Sequence, residues 1–310
     1  MLLWRFGHPH IPDGFLSPPV WATLDVVGIP TIGLLARRAK EQIEEKQIPL
    51  LGVMGAFVFA AQMINFPVGI GTSGHLVGGA LLAYTLGPAA ASLVLTAILL
   101  IQSLVFQDGG ILALGANVLN MAVLGVWAAY LPYHWLRDTR HRNAGIFLGA
   151  VLSLLTSAVC ALAELLLSGV PMRGSIILVS LGLFAVSALL EGAITLAVVQ
   201  SIERINPTWV RTRSHAHPTT LTLLAVVALF LAAVGVMFAS THPDGLEKLI
   251  GQLGIAGQNR NLISTPLADY EWSGFASPWL RKASAGLAGL FLISLLCVML
   301  GRLTARRRSA

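Results

Sequence analysis

Charge is what this chain has least of. Aspartate, glutamate, lysine and arginine make up 11% of its 310 residues, against roughly 25% in an ordinary soluble domain. Hydrophobic residues make up 55% and the mean hydropathy is +0.77. A water-soluble globular domain is thereby excluded, and an all-α integral membrane protein is expected. Cysteine is nearly absent: Cys160 and Cys297 both lie inside apolar runs, which rules out a disulfide framework or a zinc pattern. Proline and histidine interrupt any apolar stretch before residue 16, so no secretory signal is expected. No Gly-x-x-x-x-Gly-Lys-Ser/Thr loop occurs, which excludes ATP hydrolysis through that motif. His-Glu-x-x-His is also missing, which disfavours a membrane-embedded metalloenzyme, and rings of charged side chains suited to a passive divalent-metal channel are lacking. Repeats with a period of 20 to 50 residues and low-complexity tracts are absent too.

What is there is a series of apolar runs. Crossing a hydrocarbon core of about 30 Å takes roughly 20 apolar residues. Nine candidates stand at about 17–35, 50–66, 75–87, 89–106, 111–132, 144–168, 174–199, 219–239 and 283–301. The third is short, and the first carries Pro18, Pro19, Asp25 and Pro30. The net charge of +6 does not form one patch, so nucleic acid is not an expected partner. Instead, Arg37, Arg38, Lys40 and Lys46, then Arg137, Arg140 and Arg142, then Arg204, Arg211 and Arg213, and finally Arg302, Arg306, Arg307 and Arg308 fall in four segments. Threading nine spans puts all four on one side, which by the excess of cytoplasmic lysine and arginine places the N-terminus outside and the C-terminus in the cytoplasm.

That threading gathers the polar motifs on the outer face. His10 lies in His10-Ile-Pro-Asp-Gly-Phe-Leu-Ser-Pro, before the first run, and Asp108 lies in Gln107-Asp-Gly-Gly, between the fourth and fifth. His75 sits in the glycine-punctuated stretch from Asn65 to Gly79, where Gly69, Gly71 and Gly74 permit positive φ and close approach to a small ligand. Thr72 and Ser73 are expected to cap a helix starting near His75, whose N-terminal partial charge would favour a neutral, ligating imidazole. The same residues equally suit a capped turn with an idle histidine. Two or three histidines converging with few carboxylates favour a borderline transition metal, nickel or cobalt, over calcium or magnesium, which prefer oxygen cages. Inside the spans, Gln62, Asn65, Gln102, Glu164 and Glu191 are expected chiefly to join helices. Asn117 and Asn120, three apart on one helix face, are candidates either for supporting the outer site or for packing.

Four motifs in this order, namely the His10 to Pro18 segment, Asn65-Phe-Pro-Val-x-x-Gly-Thr-Ser-Gly-His75-Leu-x-Gly-Gly, Gln102-x-x-x-Phe-x-Asp108-Gly-Gly and Leu114-Gly-x-Asn117-x-x-Asn120-Met, resemble the CbiM/NikM family. Its members are the substrate-binding membrane components of energy-coupling-factor transporters for cobalt and nickel. The tail, with Pro243-Asp-Gly-Leu-Glu247 and Ala268-Asp-Tyr-Glu271, resembles the small accessory component of those systems. The resemblance implies a body of about seven helices plus two C-terminal helices flanking an extracytoplasmic insert. The domains would be an extension at 1–9, a metal-binding domain at 10–200, a cytoplasmic linker at 201–218 and the accessory segment at 219–310. It also implies a prokaryotic cell membrane, a membrane coupling subunit and cytoplasmic ATPase subunits as partners, and Ni(II) or Co(II) as cargo with no permanently bound cofactor. No enzymatic activity of the chain itself is implied.

In the family the ion is held by the terminal amine, by the amide and imidazole of a histidine at position two, and by the loop histidine. These map to His10 and His75, with Asn65, Thr72, Ser73, Gly74, Gln102, Asp108, Asn117 and Asn120 as support. Nine residues precede His10, however, so the family's amine is not available directly before it. Either the His8 imidazole replaces it, or cleavage after His8 exposes a Pro9 amine, or the site is impaired or altered in metal preference.

Overall fold

The computed structural model describes residues 10–69, 72–207, 209–212, 216–238 and 262–305. The lead at 1–9 with His8 and Pro9, the Pro243 to Glu247 motif and the basic residues Arg306 to Arg308 lie outside the described residues.

Each expected apolar run is helical. The helices are α1 Pro18–Gln42, α2 Ile48–Gln62, α3 Gly79–Leu86, α4 Pro88–Phe106, α5 Leu114–Leu136, α6 Arg142–Leu167, α7 Gly174–Ile205, α8 Pro218–Met237 and α9 Pro278–Thr304. Pro18, Pro49, Pro88, Pro218 and Pro278 stand in the first turn of their helices, where a missing N–H costs nothing and the fixed φ suits helix entry. Among the described residues seven helices are long and apolar enough to cross a membrane; α2, with 15 residues, and α3, with eight, fall short of that length. Helices α1 to α7 form the body, and α8 and α9 both pack on α2. Large apolar side chains point outward, among them Val26 and Ile29 on α1, Leu178 on α7 and Phe291 on α9. Such an apolar exterior is suited to lipid.

Between helices that share an apolar solvent, close packing replaces hydrophobic burial as the source of association. Gly289 on α9 faces the rings of Phe59 on α2 and Phe106 on α4; a Cβ at Gly289 would stand 2.4 Å from the first and 2.8 Å from the second. Cys297 fills the space against Gly55 as a small apolar group. At the far end of the bundle, Arg142 at the start of α6 donates two hydrogen bonds to the Glu203 carboxylate near the end of α7, at 2.8 and 2.5 Å. Arg137, Arg140 and Arg204 line the same cleft, so two of the basic connections expected to share a side do meet.

The link from α2 to α3 differs from the expected capped turn. Phe66–Gly69 and Thr72–Gly74 form an antiparallel pair, β1 and β2, with Phe66 opposite Gly74 and Pro67 opposite Ser73. Thr72 and Ser73 are therefore strand residues and not helix caps, and α3 starts only at Gly79, with Gly78 as its N-cap at φ +75°. Among the described residues of this loop the positive φ belongs to Gly78, while Gly69 and Gly74 sit in the hairpin and Gly71 lies outside the described residues. Strand pairing wins because the partner segment across the loop satisfies the backbone groups of both stretches without water, and Phe, Val and Thr favour extended backbone.

Candidate metal centre

His10 is 2% exposed, in a segment that carries no helix of its own. It is held by the loop between α4 and α5. Asn117 accepts from Ile11 N at 2.8 Å through Oδ1 and donates to Ile11 O at 3.1 Å through Nδ2. Gly110 N donates to the same carbonyl at 2.9 Å. The Asp13 carboxylate accepts from Ile111 N at 2.9 Å and Leu112 N at 2.8 Å. Close approach is possible because a Cβ on Gly110 would fall 2.4 Å from Asp13 Oδ1. From this loop Asp108 Oδ1 meets His10 Nδ1 at 3.0 Å. A neutral imidazole bonded in that way carries its proton on Nδ1, so its lone pair is on Nε2.

His75 is equally buried, at 3% exposure. Its Nδ1 lies 2.8 Å from Leu76 O, which fixes the same tautomer. The expected helix-terminus effect on this ring does not arise, since α3 begins four residues later. The loop is clamped instead from α7 and α2. Glu191 accepts from Val77 N through Oε2 at 3.1 Å and from Gly78 N through Oε1 at 3.0 Å. Gln62 Nε2 donates to Val77 O at 2.8 Å. Gln102 Nε2 in turn donates to Gln62 Oε1 at 2.9 Å, while the Gln102 carbonyl accepts from Asp108 N at 2.9 Å. One residue thus ties the His75 loop to the Asp108 loop. A π-helical turn at Gln102–Phe106 makes this possible by widening the end of α4 and delivering Gln107 at φ +56°.

The two imidazole centres are 6.4 Å apart, inclined at 56°. A metal-bound imidazole places its ring centre roughly 3.2 Å from the ion, given a metal to nitrogen bond of about 2.0 Å. The separation is within the span of two rings that share one ion. Among the described residues no group of three or more His, Cys, Asp and Glu side chains is placed to hold a metal. The side-chain donors brought together here are the two rings, with Asp108 behind one of them. A chelate between the His10 amide and its own ring would be six-membered and would use Nδ1, the nitrogen that here bonds Asp108.

The other expected support residues divide. Gly74 allows β2 to lie against α7, since a Cβ there would be 2.7 Å from Ser187 Oγ. Thr72 and Ser73 are buried in the hairpin. Asn65 stands at the hairpin entrance, and its Oδ1 has no hydrogen bond among the described residues. Asn120 is turned away: its Nδ2 donates to Glu164 Oε2 on α6 at 2.8 Å. Residues 118–125 are π-helical, and with i to i+5 bonding two residues three apart no longer share a face. Replacing Asn117 by Ala should release the His10 segment and weaken metal affinity about tenfold, as for other groups that orient ligands. Asn120→Ala serves as the control in the same titration; equal losses in both would contradict the assignment.

Residues 10–209 match the family described as the cobalt uptake substrate-specific transmembrane region, and 219–306 match the PDGLE domain. The chain belongs to the CbiM family of cobalt-uptake proteins. A protein of Archaeoglobus fulgidus named as a fused nickel transport protein, NikMN, is 34% identical over 291 residues, covering 92% of this chain and 95% of its own. One from Lactiplantibacillus plantarum named as a fused nickel transport protein, LarMN, is 35% identical over 269 residues, covering 80% and 82%. The crystal structure of a transition metal transporter superposes with a TM-score of 0.57 at 31% identity, over 66% of this chain and 98% of that one. This CbiM-family chain is a multi-span membrane component of metal transport, and its relatives are transporters and not enzymes.

Every residue that holds His10 and His75 from within the bundle lies in the CbiM-matched span. From the PDGLE-matched part the Tyr270 hydroxyl donates to Asp108 Oδ2. Burial, and then the adjacent Asp108 carboxylate, push the Tyr270 phenol well above its ordinary pKa, so it remains the donor. Asp13 and Tyr270 are the functional side chains that sequence reasoning did not single out, and Glu191, expected only to join helices, holds the His75 loop. For Glu191 a signal existed, a carboxylate inside a 32-residue apolar helix, which is retained only where it has partners.

Proposed function

We propose that this chain is the substrate-binding component of an ATP-driven energy-coupling-factor importer for Ni(II) or Co(II). The observation that carries this reading is the convergence of the buried rings of His10 and His75, 6.4 Å between centres and each with Nδ1 on a protein oxygen, within a chain whose relatives are named for nickel and cobalt transport. The ion is captured on the outer face by Nε2 of both rings. His8, two residues ahead of His10, supplies a further nitrogen, or a processed Pro9 amine does so, and intact mass of the membrane-purified protein separates these. The N-terminus is outside and the C-terminus cytoplasmic. Residues 10–200 form the metal-binding domain, 201–218 a cytoplasmic linker and 219–310 the accessory segment.

The chain holds no nucleotide-binding loop, so transport energy comes from cytoplasmic ATPase subunits acting through a membrane coupling subunit. The test is accumulation of radioactive nickel or cobalt in cells expressing this chain with and without those subunits. Accumulation above background should require all of them and His10. Full accumulation by the chain alone would replace this reading with a passive channel.

A further inference from the structure

We propose that Tyr270 completes the metal site from the C-terminal segment as a positioning residue, fixing the Asp108 carboxylate on His10 and thereby aiming the His10 ring at the ion. The inference deepens the function proposed above and rests on it. Asp108 uses one oxygen for His10 Nδ1 at 3.0 Å and the other for the Tyr270 hydroxyl. A carboxylate held at both oxygens cannot swing, so the imidazole bonded to it is held as well. The tyrosine is itself braced: its ring stacks on Phe106 at 4.6 Å between centres and 8° between planes, with Phe59 at 5.9 Å. The segment is docked on both sides of Phe106, with Thr265 Oγ1 donating to Val105 O and Gln107 Nε2 donating to Ile263 O.

The backbone carries a second, independent sign. Asp269 and Tyr270 both adopt left-handed φ, +56° and +57°, a conformation that an aromatic residue rarely takes and that persists only where its surroundings enforce it. A segment serving only to cover the bundle would need the stack and the Thr265 contact. The strained turn is what swings the hydroxyl onto Asp108. Ion capture by the CbiM-matched body and the presence of the PDGLE-matched segment are thus coupled through one hydrogen bond, and the segment acts by ordering a ligand.

The test uses the full-length chain in detergent, titrated with Co(II), whose visible spectrum reports coordination geometry, and with Ni(II). Tyr270→Phe keeps the ring stack and removes the hydroxyl. It should weaken metal affinity about tenfold and shift the Co(II) bands, whereas Thr265→Val, which loosens docking without touching the relay, should leave the bands in place. In an Asp108→Ala background Tyr270→Phe should add nothing, because the two changes break one chain of contacts. Wild-type affinity and spectrum in Tyr270→Phe, tighter binding, an equal band shift in Thr265→Val, or a full additional effect in the Asp108→Ala background would each overturn the inference. His75→Ala run alongside separates the two levels. If it binds metal as the wild type does, the binding site itself has been misplaced; if it loses binding while Tyr270→Phe is unaffected, only the role of Tyr270 falls.

Discussion

Replacing His75 by Ala is expected to abolish tight binding of Ni(II) and Co(II). The ring is 3% exposed and its Nδ1 is committed to Leu76 O, so Nε2 is the nitrogen available to an ion. Loss of a ligand exceeds the 10- to 100-fold typical of losing a group behind a ligand, so affinity should fall at least about a hundredfold. Metal protection against unfolding offers a direct reading. At a free metal concentration about one hundred times the wild-type Kd, the ion stabilises the wild type by about 2.7 kcal/mol. At the same concentration a variant bound a hundredfold more weakly gains only about 0.4 kcal/mol. The measurement is the metal-dependent shift in Tm of the purified chain, together with metal bound per protein. A variant that still binds one ion tightly and keeps the full shift would remove His75 from the site.

Glu191→Ala is expected to have the other large effect, on stability and metal binding together. The carboxylate is fully buried and accepts from two backbone N–H groups, Val77 and Gly78. Its removal leaves both donors unsatisfied inside the bundle, at about 1 to 3 kcal/mol each, or roughly 2 to 6 kcal/mol in all. Glu191→Gln retains one acceptor and places an amide N–H₂ against the other N–H, so it should lose about half as much. In both variants metal affinity should fall as well, since the clamped residues follow His75 by two and three positions. Thermal unfolding without metal and metal titration of the folded fraction distinguish the two losses. If Glu191→Gln unfolds earlier yet binds metal normally, the clamp stabilises the loop without setting His75.

The relation between sequence and structure differs from one feature to the next. Helix positions were legible because apolar runs of the length needed to cross a membrane are long, and five of the helices open on a proline in their first turn. His10, His75 and Asp108 were legible as a group because the distribution of arginine and lysine assigns each connection to a side without any knowledge of packing. The hairpin at Phe66–Gly74 was not, since Thr72 and Ser73 suit a cap and a strand alike and only the bonding partner across the loop decides between them. Nor was the parting of Asn117 from Asn120, because a π-helical segment leaves no period in the apolar pattern. The reach of Tyr270 to Asp108 spans 162 residues of chain, a distance across which local spacing carries no information.

The amino-acid sequence by itself determined that this chain is a helical membrane protein of the CbiM family, with two histidines and an aspartate at one end of the bundle. Those properties follow from composition, run length and ordered motifs, each readable one segment at a time. Only the tertiary structure decided which nitrogen of each histidine is tied to a protein oxygen, which carboxylate stands behind His10 and which one holds the His75 loop. Such choices depend on hydrogen bonds between groups far apart in the chain, formed when helix packing excludes water and every buried polar group must find a partner.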